Sequence, residues 1–203
     1  MSVSSKKSLL SRVALILIFL IALYFVLTRA IEYFVFTEES YGKYFWPRVN
    51  WVFPHVLCGT IALLIGPFQF SKKLRAKNVK LHRRIGYTYL IAILIGSIAS
   101  LGLAFTSKVN ITYMMGLAFL AVAWLLTSGM AFFCILKRKI MQHKEWMTRS
   151  YVVTFAFVVF RLFSDVLKHY EIMEHPATLL SWAAWAVPLL FTEVFIQYRK
   201  TFK

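Results

Sequence analysis

The chain has 203 residues, of which 60% are hydrophobic and 17% aromatic, and it carries 24 Lys and Arg against 8 Asp and Glu, for a formal net charge of +16. So apolar a composition excludes an ordinary soluble domain, whose surface must be wetted. The charge alone would suit a nucleic-acid binder, but the bases gather in short loops between apolar segments, which argues against nucleic acid as a partner.

Six stretches of about 20 residues with few charges read as bilayer-spanning helices, at about 12–35, 50–70, 85–106, 111–136, 149–170 and 179–198. The expected fold is an all-α polytopic membrane protein, a single integral domain over 1–203 with no loop long enough for a soluble module. The first span follows Lys6, Lys7 and Arg12, as in a signal peptide, but it is too long for one and no small-x-small cleavage site follows it. It reads as a retained helix ending near Arg29, Glu32 and Tyr33. Pro54 and Pro67 lie near the two ends of the second span, and Pro188 inside the sixth predicts a kink. The very short turn TSKVN (106–110) makes the third and fourth spans antiparallel neighbours. Gly59, Gly66, Gly86, Gly96, Ser100, Gly116 and Gly129 recur in spans two to four, where small residues let backbones approach. Spans two to five are therefore expected to form a central four-helix core, with spans one and six peripheral. Spans 2–3 and 4–5 echo one another weakly, each a helix, a basic His-bearing loop and a helix. Cys58 and Cys134 fall near opposite membrane faces and are expected to stay unbridged.

Alternating the spans places 18 basic and 2 acidic residues on the side of the N-terminus, and 6 of each on the other. The enrichment of Lys and Arg in short cytoplasmic loops then predicts an N-in, C-in topology in the inner (cytoplasmic) membrane, with anionic head groups against the basic face.

Charges inside a span usually face the bundle and pair. Arg161 and Asp165 are four apart in the fifth span, on one helical face, and His55 enters the second span from the same outer side. Toward the basic face, LHRRIGYTYL (81–90) opens span three with His82 and Arg84, and MQHKEWMTRSY (141–151) opens span five with His143 and Arg149. Glu193 is a carboxylate on the inner third of span six, which needs a partner or a proton. A b-type haem needs two imidazoles from different helices and bases for its propionates. His82 and His143 as iron ligands, with Arg84 and Arg149 beside them, supply those parts, and His55 with His169 would be a second pair. No His-x-x-His or Glu-x-x-His helical pair, nucleotide loop or dinucleotide glycine motif occurs.

PHVLCGTIALLIGPFQF (54–70), LHRRIGYTYL and HKEWMTRSY (143–151), with Arg161 in the following helix, resemble an uncharacterised prokaryotic membrane family, domain of unknown function 2306, over about residues 50–170. The resemblance implies a multi-pass membrane protein and carries no established activity. More loosely, the layout is similar to cytochrome b-561 and ferric-reductase membrane cores, except that span four has no histidine. Four readings stay open: a haem-b or quinone protein of transmembrane electron transfer with a redox partner; a small proton-coupled transporter or channel around Arg161–Asp165; an enzyme or receptor for lipid head groups or small apolar ligands; and a scaffold or accessory subunit.

Overall fold

The computed structural model describes the backbone of residues 3–173 and 176–202, and side chains from residue 13 onward together with Leu9. The bases Lys6, Lys7, Arg12 and Lys203 and the acid Glu174, which enter the charge count, lie outside the described side chains. Every described element is a helix. The α-helices are α1 (Val3–Phe25), α2 (Glu38–Phe45), α3 (Val49–Gln69), α4 (Lys72–Lys77), α5 (Val79–Phe105), α6 (Ile111–Leu136), α7 (Ile140–Thr154), α8 (Ala156–His169) and α9 (Ala177–Phe202), with a π-turn at Val26–Ala30 and 3-10 turns at Ile31–Phe34 and Trp46–Arg48. Six helical runs are long and apolar enough to cross a membrane, so the chain is an all-α, multi-pass membrane protein.

The basic loops are shorter than expected because helices grow into them. Asn78 caps α5, its Oδ1 accepting from the Leu81 N–H at 2.9 Å, so the third span starts at Val79 instead of near 85. Ser71 caps the short α4 in the same manner, at 3.2 Å. Each such cap is worth about 1 kcal/mol. Between α6 and α7 only Lys137–Lys139 remain as a turn, with Arg138 in the left-handed region at φ 57°.

The fifth span is not one helix from 149 to 170. It begins at Ile140 and breaks at Phe155 between α7 and α8. Thr154 lies at the break, its hydroxyl donating to the Ser150 carbonyl at 2.9 Å; such back-bonding favours a bend, although Thr127 makes the same bond inside the unbroken α6. The neighbouring β-branched Val152 and Val153 add crowding. α9, by contrast, runs as one helical element through Pro188. At the opposite end, α2 turns sharply at Gly42, whose φ of 63° suits glycine alone.

Three glycines provide the close approaches expected of small residues in lipid. A Cβ at Gly66 would strike the Tyr151 ring, one at Gly102 the Trp51 indole, and one at Gly116 the Ser181 side chain. Gly59 and Gly129 meet nothing within 4 Å and play no such part. The core is built from α3, α5, α6 and α7, around Tyr89, Ile93, Trp124, Met147 and Tyr151. α9 is more closely integrated than a peripheral helix, packing along α6, α7 and α8, whereas α1 leans mainly on α3. Cys58 and Cys134 are buried and free.

Candidate functional site: a basic basin with two imidazoles

His82 and His143 occupy equivalent places, each the fourth residue of its helix, α5 and α7. The caps and tight turns described above set both rings one turn inside the bundle. The end of α3 is tied to the same region by Gln69, whose side chain donates to the His82 carbonyl at 3.4 Å. Both imidazoles line one cavity of about 2650 Å³ at the basic end of the bundle. Its charged rim includes Lys72, Arg75, Arg83, Lys144 and Lys200, with Glu145 as its acid, and its walls include Phe70, Leu90 and Phe132.

The two rings are held differently. His143 Nδ1 lies 2.8 Å from the Ala131 carbonyl. A carbonyl only accepts, so Nδ1 carries the proton, and in the neutral ring Nε2 is left with its lone pair. Such an anchored imidazole is the usual form of a metal-binding one. His82 Nδ1 is buried with no hydrogen-bond partner, an arrangement that calls for an explanation in a folded protein.

Arg84 does not line this cavity; its neighbour Arg83 does. Position 84 is two residues from His82, about 200° around the helix, and so points elsewhere. Arg149 is not at the rim either. It is buried at 7% exposure and committed to Glu193, with Nε and Nη2 at 2.7 and 2.6 Å from Oε2. Glu193 Oε1 accepts from Gln197 at 2.6 Å, and Lys200 meets Glu145 at 2.6 Å. The partner that Glu193 needed is thus Arg149, and the network clamps α9 to α7.

The far end differs from expectation. Asp165 does not pair with Arg161; its Oδ2 is 2.7 Å from Arg29 Nη2, joining the end of the first span to α8. One helical face brought Arg161 and Asp165 into register, but the two arginines belong to different elements, and only Arg29 reaches the carboxylate. His55 rests its Nδ1 3.2 Å from the Gly96 carbonyl and its ring edge-on to Phe157. His169 is exposed at the end of α8, against Tyr170, and neither it nor His55 lines the basin.

A buried hydroxyl cluster ties Ser128, Trp124 and Thr154, all on polar faces of their spans, to Ser150 and Tyr89, which the sequence did not single out. Ser128 and Ser150 are 2.8 Å apart, Ser150 and Tyr89 2.9 Å, and Tyr89 and Thr154 3.0 Å, with the Trp124 indole donating to Thr154 at 2.8 Å. Thr154 gives its proton to a carbonyl, so it accepts from Tyr89, which accepts from Ser150 in turn. The chain starts at the Ser128 hydroxyl and ends on the Ser150 carbonyl, with the Trp124 indole as a second donor to Thr154. It is a clasp between α5, α6 and α7. The signal was present in part, since Ser150 and Thr154 are four apart on one face, but Tyr89 lies 61 residues from Ser150.

Among the described residues no three His, Cys, Asp or Glu side chains gather as a metal-binding group. At the basic end His82 and His143 line the same basin. The family model for a predicted membrane protein, domain of unknown function 2306, matches residues 52–196, which include both histidines and Glu193. No curated protein and no solved structure matches the chain.

Proposed function

The chain belongs to the family of predicted membrane proteins known as domain of unknown function 2306, and from that premise we propose that it is a haem-b protein of membrane electron transfer. The observation that carries the reading is that His82 and His143, from two different helices, line one cavity with a cationic rim. When bound, haem b supplies one-electron transfer. The residues here supply its setting. His143, oriented by the Ala131 carbonyl, presents a free Nε2. His82 lines the same basin from α5. Lys72, Arg75, Arg83 and Lys144 provide positive charge for propionates, and Phe70, Leu90 and Phe132 an apolar wall. The cavity, at about 2650 Å³, exceeds the roughly 300–1,000 Å³ of ordinary ligand pockets. Only its histidine-lined part is assigned to the macrocycle, and the remainder faces lipid head groups. Placing the basic end in the cytoplasm of an inner membrane follows the distribution of Lys and Arg.

The transporter reading rests on Arg161–Asp165 with His55 and Glu193; in the structure Asp165 is paired with Arg29 instead. The test of the haem reading is spectroscopic. Protein purified in detergent from haem-replete cells is expected to show a reducible Soret and α band, and His82→Ala or His143→Ala to abolish it. Colourless wild-type protein from such cells overturns the proposal.

A further inference from the structure

A second cleft, of about 380 Å³, lies between α6, α7 and α9 and shares no lining residue with the basin. It is bounded by Thr127, Trp146, Arg149, Trp185, Leu189 and Glu193. α7 separates the two spaces: His143 faces the basin, and Trp146, one turn on, faces the cleft. Leu190 on its lip is 63% exposed on the apolar flank of α9, so the cleft opens sideways toward lipid acyl chains rather than toward water.

Its chemistry narrows the ligand. Arg149 and Glu193 neutralise each other at 2.6 Å, so the cleft carries no net charge and selects a neutral guest, unlike the cationic basin. Arg149 Nη1 is 4.0 Å from Glu145, beyond hydrogen-bonding reach, and so retains N–H groups for a carbonyl oxygen. Thr127 spends its proton on the Ala123 carbonyl at 2.7 Å, leaving its oxygen, with Glu193, to accept from a hydroxyl. Trp185 and Trp146 supply flat faces, and the Arg149 guanidinium already lies 4.6 Å over the Trp146 ring. Both Arg149 and Glu193 sit nine residues from the basic ends of their helices, about 13 Å inward at 1.5 Å per residue. A polar ring at that depth with its tail in the bilayer fits; a charged head group does not.

We infer that this cleft binds the head group of a lipid-soluble quinone, as quinone through Arg149 and as quinol through Thr127 and Glu193. The inference rests on the redox reading above, because it gives the haem site a lipid-borne electron partner on the other side of α7, but its binding chemistry is independent of haem. A short-tailed benzoquinone titrated into the purified protein is expected to quench tryptophan fluorescence saturably. A tail-matched dimethoxybenzene without carbonyls is expected to quench little, and Ala186→Phe, which fills the cleft, to weaken binding at least tenfold. Unsaturable quenching, equal quenching by the carbonyl-free control, or undiminished binding in a folded Ala186→Phe protein overturns the inference. Should that variant misfold, an azidoquinone photolabel on the wild type decides: labelled peptides are expected within 140–154 and 185–193, and labelling confined elsewhere overturns it. Colourless wild-type protein with saturable, Ala186-sensitive quenching sinks the haem assignment alone.

Discussion

The two ends of the bundle use the same ion-pair chemistry in opposite ways. At the basic end Arg149, with its side chain 9% exposed, is locked to Glu193 and flanked by Glu145, Lys200 and Gln197. At the far end Arg29 and Asp165 meet at almost the same distance, yet their side chains are 53% and 45% exposed. An exposed pair competes with head groups and water and contributes little, whereas a buried arginine stripped of its partner leaves an uncompensated charge. The basic end is thus where the chain has invested in a fixed arrangement of polar groups, and it is also where both the basin and the cleft lie.

That contrast can be broken by substitution. Glu193→Ala should have the largest effect, since it leaves Arg149 with only Glu145 at 4.0 Å. A fully buried pair broken in this way costs about 3–5 kcal/mol; with Glu193 41% exposed, we expect about 2 kcal/mol, read as lowered thermal stability in detergent. No change in melting temperature would mean that the clamp on α9 is dispensable. Tyr89→Phe comes next. It removes the middle of the hydroxyl clasp, and interhelical hydrogen bonds in membranes are worth about 0.6–2 kcal/mol, so a loss of about 1 kcal/mol is expected by the same measurement. Asp165→Asn should be the mildest, below about 1 kcal/mol, and should shrink further at high salt. A loss at Asp165 as large as that at Glu193 would erase the distinction between the two ends.

How much could be read without coordinates follows from the same contrast. The six spans, the packing of Gly66 and Gly116, the free cysteines and the gathering of His82, His143 and Glu193 toward one end were legible, because hydropathy and helical register are local properties. The break at Phe155 was not, since hydropathy runs on across it as one span, Ile140–His169. Nor was the partner of Asp165. Arg161, four residues away, was the local candidate, and the actual partner is 136 positions distant.

By itself, then, the chain's order of residues determined that it spans a membrane six times as helices, that its positive charge collects at alternate loops, and that two histidines open two of those helices. Tertiary structure alone decided that these imidazoles share a cavity, that Arg149 leaves the rim to neutralise Glu193, and that Arg83 takes the place expected of Arg84. The reason is physical. Insertion into lipid depends on summed local transfer energies, but which polar groups meet depends on helix rotation and crossing, set by contacts such as Gly66 against Tyr151 that no single segment contains.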